Sequence, residues 1–285
     1  MKGYSSFAGL EKPFTEWDES AVAILPVPYD KTSTWIKGAH KGPFAVIEAS
    51  RALEFYDIET DFEVYKRGIY TARALLCRRS PEKMVTQVQA KVSELLDGGK
   101  FVVTLGGEHS VSIGAVKAHS EKRGDFSVLQ LDAHADLREE YEGSRYNHAC
   151  VMARIKEICP AVQVGVRSMC MCEKSAVDAK NVFFAGDIQN NNNWMSEALS
   201  RIQANVYVTI DLDVFDPGVM PSTGTPEPGG LLWYQVIGFL KTVAEQRNII
   251  GFDVVELCPN EKNKAPDFIA AKLIYKLLSY IFQPG

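Results

Sequence analysis

Three ionisable side chains alternate with small apolar residues in LDAHADLR, residues 131–138. Asp132, His134 and Asp136 come directly after FSVLQ, a run that is typical of a buried strand. Burying charge without a partner costs several kcal/mol or more for each group, so compensating groups must lie opposite them. Because side chains two residues apart in a strand point to the same side, Asp132 and His134 can converge.

Polar residues follow three other strand candidates in the same manner. In open α/β folds, ligands bind at the carboxyl ends of the strands, so these residues are the first candidates for a functional site. They are Glu108 and His109 in GGEHS, Asp211, Asp213 and Asp216 in DLDVFDP, and Glu256 in FDVVEL.

The charge of these groups indicates a metal centre. No comparable set of lysines or arginines lies in these motifs, where only Arg138 is near, so divalent cations would supply the missing positive charge. Six carboxylate and imidazole ligands exceed what one tetrahedral zinc needs, whereas two octahedral-leaning ions would use all six. Oxygen-rich ligation with some imidazole favours Mn²⁺ over Zn²⁺, with Fe²⁺, Co²⁺ and Ni²⁺ as lesser alternatives. The six candidates are His109, Asp132, His134, Asp136, Asp211 and Asp213.

Strand candidates alternate with helical patterns along the whole chain. The alternation predicts an α/β fold with a mainly parallel sheet that is covered by helices on both faces, and a TIM barrel is the second choice. One helix is predicted to follow Ser80 as N-cap and Pro81 as first residue, and another lies within 267–282. No linker-like shift in composition divides the chain, which predicts one domain over 1–285. The strand candidates are 21–29, 62–70, 100–106, 126–132, 161–167, 181–187, 206–214 and 248–257.

The bulk composition narrows the partners and the compartment. The 285 residues carry a net charge of -5, which argues against nucleic acid or an anionic membrane as the main partner and suits a small cationic or neutral substrate. No run approaches the roughly 18 apolar residues of a transmembrane helix, and the first residues do not read as a signal peptide. The six cysteines form no CxxC pair and are expected to be reduced thiols in a cytoplasmic protein. Cys170 and Cys172 leave a soft metal site as an alternative.

The motifs, taken in order, resemble a known family. GGEHS, DAHAD and DLDVFDP followed by TGTPEPGG are similar to the signature motifs of the arginase/agmatinase (ureohydrolase) family. GFDVVELCP and KTSTWIKGAHKGPFAVIEAS also resemble sequences of that family. The resemblance implies a three-layer α/β/α domain around an eight-stranded parallel sheet and a dinuclear manganese centre. It further implies hydrolysis of a guanidino group to urea and an amine, and a homo-oligomer, either a trimer or a hexamer.

The resemblance also assigns the metal ligands. His109, Asp132, Asp136 and Asp211 would bind one ion, and the second ion would share Asp132 and Asp211 and add the ligands His134 and Asp213. A hydroxide held between the two ions would attack the guanidinium carbon, because metal coordination greatly lowers the pKa of water.

Four residues receive further roles from the resemblance. Asp136 would hold the proton taken from the nucleophile and give it to the leaving amine, and His148 in RYNHACVMAR would shuttle protons. Glu256 would accept hydrogen bonds from the guanidinium, and Thr225 would lie beside the site. The alternatives are an exposed or N-cap histidine at position 148 and an ordinary ion pair of Glu256 with a lysine or arginine.

Three residues are expected outside the ligand set. Asp216, which precedes a proline, is predicted to form a turn. His119 is predicted on a helix surface, and His40 lies in a loop that the resemblance puts near subunit or active-site edges.

The choice of substrate depends on the residues after DAHAD. Arginases typically continue with Ile-Asn, whereas Leu137 and Arg138 stand here, so agmatine is favoured and would yield putrescine, a polyamine precursor, and urea. The YNHAC segment departs from agmatinases, which leaves arginine, guanidinobutyrate, guanidinopropionate and formiminoglutamate open. Arg138 could bind a substrate carboxylate, or it could pair with Glu139 or Glu142. A metal-dependent deacetylase or amide hydrolase, and a non-enzymatic metal-binding role, are further alternatives.

Overall fold

A single parallel sheet organises the part of the chain that the computed structural model describes, residues 6–77, 79–122 and 124–283. Its strands are β1 (Val22–Val27), β2 (Ile69–Thr71), β3 (Phe101–Gly106), β4 (Ser127–Leu131), β5 (Ala161–Val166), β6 (Val182–Phe184), β7 (Asn205–Asp211) and β8 (Asn248–Val255). The eight strands follow the order β2-β1-β3-β8-β7-β4-β5-β6, and every pairing is parallel. Because the sheet is open, with β2 and β6 at its edges, the TIM barrel alternative is wrong.

Helices cover both faces of the sheet and confirm the three-layer prediction. One face packs on α2, α3 and α4, and the other on α1, α6, α7 and α8. No helix among the described residues is long and apolar enough to cross a membrane. The helices are α1 (Gly42–Ser50), α2 (Pro81–Asp97), α3 (Val111–Lys122), α4 (Val151–Ile155), α5 (Ala185–Ile188), α6 (Trp194–Arg201), α7 (Trp233–Gln246) and α8 (Ala265–Phe282).

Strand β1 shows why its sequence is apolar at every position. Val22 and Ile24 belong to the core under α1 and α8, whereas Ala23, Leu25 and Val27 belong to the core under α2 and α3. Successive side chains alternate between two buried faces, so a strand in the middle layer reads as a continuous hydrophobic run.

Two strand predictions were partly wrong. In the run 62–70, Val64–Arg67 forms a 3₁₀ turn and only the last residues join the short strand β2. Tertiary packing favours the 3₁₀ turn over a strand, because the Tyr65 ring contacts Phe14 and Phe55 at centroid distances of 5.1 and 5.0 Å. The run 181–187 likewise leaves the sheet at Phe184, where α5 begins. Both cases lie at the edges of the sheet, where burial constrains the backbone least.

The strand order brings the predicted polar residues to one place. His109 follows β3, Glu256 follows β8, Asp211 ends β7 and Asp132 follows β4. These four strands are consecutive in the sheet, and parallel strands all end at the same edge. The candidate site therefore lies at the carboxyl end of the four central strands, as expected for an open α/β sheet.

Candidate metal centre and active site

His109 is the centre of the first group of candidate ligands. Its Nδ1 lies 3.0 Å from Asp132 Oδ2, 3.2 Å from Asp136 Oδ2 and 3.4 Å from Asp211 Oδ2. Its Nε2 lies 2.8 Å from Thr209 Oγ1, and that hydroxyl donates to Asp253 Oδ1 at 2.7 Å. Since the threonine proton goes to the carboxylate, His109 Nε2 donates its own proton to Thr209, and Nδ1 is the nitrogen that faces the three aspartates.

His134 is the centre of the second group. Its Nδ1 lies 2.9 Å from Asp213 Oδ2 and 3.6 Å from Asp132 Oδ1. Its other ring nitrogen, Nε2, lies 3.9 Å from Glu227 Oε1. The ligand atoms of His109, Asp132 and Asp211, and those of Asp132, His134 and Asp213, come close enough in each triplet to hold a metal ion. Asp132 belongs to both triplets.

Backbone hydrogen bonds orient the carboxylates of the cluster. The Ala133 N–H donates to Asp213 Oδ1 at 3.0 Å, and the Asp213 N–H donates to Asp211 Oδ1 at 2.9 Å. The His134 N–H donates to Asp132 Oδ1 at 2.6 Å. The Ala133 hydrogen bond links the residues after β4 to those after β7, whereas the other two hold Asp211 and Asp132 within their own segments.

The charges in the cluster are not balanced by the protein. No lysine or arginine of the described residues forms an ion pair with Asp132, Asp136, Asp211 or Asp213. His109 Nδ1 is buried and makes no hydrogen bond of acceptable geometry within the described chain, although three carboxylates surround it. Three buried carboxylates around an orphaned imidazole nitrogen, with Asp213 beside His134, fit divalent cations with mixed oxygen and nitrogen ligation.

The pKa shifts of the cluster reflect the same excess of negative charge. Burial and the charges of Asp213 and Asp132 raise the pKa of Asp211 well above its usual range. Burial and the charge of Asp132 raise the pKa of Asp136 to about 7. Burial opposes charge on His134, but Asp213 and Asp132 outweigh it and raise its pKa to about 12. The described residues alone therefore favour protonated forms of Asp136, Asp211 and His134, and divalent cations would supply the compensating positive charge.

Asp136 and Glu256 share an uncommon backbone conformation. Their φ angles are 52° and 66°, in the left-handed region that non-glycine residues rarely adopt. The carbonyl of Asp136 accepts the N–H groups of Met152 and Ala153 at 2.9 and 3.2 Å, which stabilises this conformation. Strained residues of this kind cluster at functional sites, where the surrounding structure over-determines them.

Glu256 is held by the turn that carries His109. Its Oε1 accepts the His109 N–H at 2.7 Å, and its own N–H donates to the Gly107 carbonyl at 2.7 Å. Burial and the charge of Glu108 raise the pKa of Glu256 well above its usual range. No lysine or arginine among the described residues pairs with it, so the ordinary ion pair considered for this residue is wrong.

A pocket opens above the cluster. His148 and Thr225 line it, as the sequence predicted, together with Glu256 and the loop 33–36. Within the described chain its lining contains no lysine or arginine. Burial and the nearby His134 and His109 lower the pKa of His148 to about 4. His148 is therefore a partly buried histidine of the pocket and not an exposed one.

The sequence analysis named Glu108 without giving it a role, and it did not name Thr32 or Trp35 as site residues. Thr32 and Glu108 contact each other and the segment that carries His148. Trp35, which is 76% exposed, lines the pocket from the loop after β1. The motif GGEHS gave a signal for Glu108, but nothing in the sequence showed that the loop after β1 comes so near.

Two expectations outside the cluster were wrong. Arg138 pairs with neither Glu139 nor Glu142, because its Nε lies 3.8 Å from Glu173 and its guanidinium stacks 4.2 Å from the Tyr141 ring centroid. Arg138 does not line the pocket either.

His119 is not on a helix surface but fully buried, since it faces β7 and β8 from α3. Its ring lies 4.8 Å from that of Tyr207, and any Cβ at Gly251 would collide with it.

Asp216, His40 and the cysteines lie where they were expected, outside the cluster. Asp216 forms a turn, since its carboxylate accepts the N–H groups of Gly218 and Gly229 at 2.9 Å each. His40 contacts Asp30 at 2.5 Å in the loop after β1. The six cysteines are free thiols, and Cys170 Sγ accepts the Cys172 N–H at 3.2 Å in a short turn, not in a metal cluster.

Comparison with known proteins identifies the class. The family model described as "Arginase family" matches residues 20–279, so the chain belongs to the arginase family. Its relatives carry the names of ureohydrolases and agmatinases, and this chain is an enzyme of the arginase family.

Individual relatives span nearly the whole chain. An N(1)-aminopropylagmatine ureohydrolase of Synechocystis sp. is 41% identical over 93% of this chain and 90% of its own length. An agmatinase of Pyrococcus horikoshii is 32% identical over 96% of both chains. The solved agmatine ureohydrolase of Thermoplasma volcanium superposes with a TM-score of 0.86 at 27% identity, covering 98% of this chain and 95% of the other.

Proposed function

We propose that this enzyme hydrolyses a small guanidino compound to urea and an amine at a dinuclear manganese centre. The observation that carries the proposal is the position of Asp132 between His109 and His134, with Asp211 and Asp213 completing two triplets of ligand atoms. A deacetylase or amide hydrolase with one zinc would need fewer carboxylates than converge here.

The proposed ligands are the six residues predicted from the sequence. Asp136 joins the first triplet because its Oδ2 lies 3.2 Å from His109 Nδ1. Two Mn²⁺ ions in these positions would supply the positive charge that the cluster lacks and would lower the pKa of bound water. The ligands are His109, Asp132, His134, Asp136, Asp211 and Asp213.

The remaining polar residues of the pocket divide the work of binding and proton transfer. Glu256 faces the pocket from the turn after β8 and accepts hydrogen bonds from the cationic guanidinium. Asp136, which lies on the pocket wall beside His109, takes the proton of the nucleophile and gives it to the leaving amine. His148 exchanges protons with solvent, and Thr225 contacts the substrate from the pocket lining.

Agmatine is our first choice of substrate. Because no lysine or arginine of the described residues lines the pocket, nothing there would neutralise a carboxylate tail such as those of arginine, guanidinobutyrate, guanidinopropionate or formiminoglutamate. The carboxylates around the pocket instead favour a second cationic group. Hydrolysis of agmatine gives putrescine and places the enzyme in polyamine synthesis.

N1-aminopropylagmatine is the second candidate. The relative from Synechocystis, which is 41% identical, carries this substrate in its name. The exposed Trp35 extends the pocket wall outward and gives a longer polyamine tail an aromatic surface.

Urea release with added Mn²⁺ tests the proposal. Agmatine, N1-aminopropylagmatine, arginine, guanidinobutyrate and guanidinopropionate are compared at equal concentration, and formamide release is followed with formiminoglutamate. We expect the highest kcat/KM with one of the two substrates that carry a cationic tail. No product from any of them, in protein that holds two metals per chain, would disprove a ureohydrolase.

We also propose that the chain forms one domain over 1–285, acts in the cytoplasm and assembles as a homotrimer or homohexamer. The free state of all six cysteines supports a reducing compartment. Light scattering after size exclusion measures the oligomeric state directly, and a monomeric mass would refute this part.

A further inference from the structure

We propose that Thr32 is a positioning residue for His148, anchored in turn by the buried carboxylate of Glu108. The inference rests on the proposed proton shuttle and adds to it the group that orients the shuttle. Thr32 lies in the loop after β1, Glu108 in the turn after β3 and His148 in the 3₁₀ turn before α4, so three separate segments meet at one hydroxyl.

The contacts of the Thr32 hydroxyl define the arrangement. Its Oγ1 donates to Glu108 Oε2, accepts the His148 backbone N–H at 3.0 Å and lies 3.2 Å from His148 Nδ1. Glu108 is fully buried, and its Oε1 accepts the Ser110 hydroxyl at 2.7 Å. Both Thr32 and Glu108 lie outside the residues that line the pocket, so they reach the substrate only through His148.

The capacity of a hydroxyl determines which ring nitrogen of His148 carries the proton. A threonine has one proton to donate and two lone pairs to accept with. Because the Thr32 proton goes to Glu108, both contacts from His148 must be donated to Thr32. His148 therefore carries its proton on Nδ1, and Nε2 is the nitrogen left free for proton exchange in the pocket.

Other contacts hold the turn independently of Thr32. The Asn147 side chain accepts the Ala149 N–H at 3.0 Å, and the Arg138 N–H donates to the Ala149 carbonyl at 3.2 Å. Removing the Thr32 hydroxyl should therefore leave the turn in place and free only the ring of His148.

A double-mutant cycle tests this role. We expect Thr32→Val to lower kcat roughly tenfold to a hundredfold, because a mispositioned acid–base group loses much of its effect, with KM changed less than about twofold. Thr32→Ser keeps the hydroxyl and should restore kcat to within about threefold of the original enzyme. In the His148→Ala background, Thr32→Val should have no further effect. Thr86→Val, which removes a surface hydroxyl of α2, is the matched control.

Three outcomes would overturn the inference: full activity of Thr32→Val, failure of Thr32→Ser to restore kcat, or additive losses in the double variant. A nitrogen-15 NMR spectrum of the histidine rings, recorded on the Zn²⁺-loaded protein, reports the tautomer of His148 without any turnover. We expect the Nδ1–H form in the original protein and a mixture in Thr32→Val. An enzyme that releases no urea at all refutes the proposed function, whereas this spectrum still decides whether Thr32 orients His148.

Discussion

The carboxylate of Asp132 lies between two histidines, with Oδ2 3.0 Å from His109 Nδ1 and Oδ1 3.6 Å from His134 Nδ1. It has no exposed surface, and the Gln130 side chain donates to its Oδ2 at 2.7 Å. Burial works against its charge, but the neighbouring imidazoles of His109 and His134 prevail and hold the pKa of Asp132 below its usual range. Asp132 is thus the ionised carboxylate that joins the two halves of the cluster.

Replacing Asp132 should affect both metal positions together. We expect Asp132→Ala to reduce bound manganese from about two ions per chain to less than one and to abolish urea release, because both triplets use this carboxylate. Elemental analysis of the dialysed protein measures the metal content, and circular dichroism verifies the fold.

Asp216→Ala is the matched control for Asp132→Ala. It removes a carboxylate that follows the same strand as Asp211 but binds the N–H groups of Gly218 and Gly229. We expect unchanged metal content and a free energy of unfolding lower by about 1 kcal/mol. If Asp132→Ala retained two metals per chain, Asp132 would not be a ligand shared by the two ions.

His148→Ala should separate proton transfer from metal binding. We expect both metals to stay and kcat to fall by about 10²- to 10⁴-fold, the usual contribution of general acid–base catalysis. KM should change little if Glu256 carries most of the guanidinium binding. Arg145→Ala, on the surface in the same loop, is the control for local disturbance. Steady-state kinetics measures kcat and KM of both variants. A fully active His148→Ala would exclude a role of His148 in proton transfer.

The fold and the ligand cluster were predictable from the sequence because each strand carries its own polar residues at its end. Asp132 and His134, or Asp211 and Asp213, are neighbours in sequence, and the parallel arrangement brings all such ends to one edge. Continuous apolar runs such as β1 marked the central strands clearly.

Contacts between loops were not predictable in this way. Thr32 is 116 residues from His148 and 76 from Glu108. Thr32 and Glu108 meet because β1 lies next to β3, and His148 reaches them from the loop after β4. Arg138 similarly had two acidic neighbours in sequence, yet it pairs with Glu173 from a loop after β5. Long-range pairings of this kind depend on strand order, which no local pattern encodes.

Stability in acid should depend on Glu59, which joins the loop after α1 to α8. Burial opposes its charge, but hydrogen bonds from Lys276, Lys241 and Tyr280 outweigh this effect and lower its pKa to about 2. A carboxylate with a depressed pKa stabilises the fold above its unfolded pKa, and this contribution is lost as the pH falls from about 4.5 towards 2. Glu59→Gln should therefore be less stable than the original protein at pH 7, with a difference that shrinks below pH 4.5.

Urea unfolding at several pH values measures the contribution of Glu59. Since Glu59 is 36% exposed, the difference at neutral pH should stay below about 1 kcal/mol. Glu48→Gln removes an exposed carboxylate that pairs only with Arg51 in the same helical turn, and serves as the control. If the free energies of unfolding of Glu59→Gln and the original protein differ by a constant amount from pH 7 to pH 3, the ionised carboxylate of Glu59 does not stabilise the fold.

Trp35 should discriminate between substrates by the length of their cationic tail. Its ring lines the outer pocket, where an ammonium group over an indole face gains about 0.5–2 kcal/mol. We expect Trp35→Ala to raise KM for N1-aminopropylagmatine by about 2- to 30-fold and to leave KM for agmatine nearly unchanged, because only the longer tail reaches the ring. Tyr234→Ala, which removes an aromatic ring that is 81% exposed on α7, is the control. Equal changes in KM for both substrates would show that the longer cationic tail does not contact Trp35.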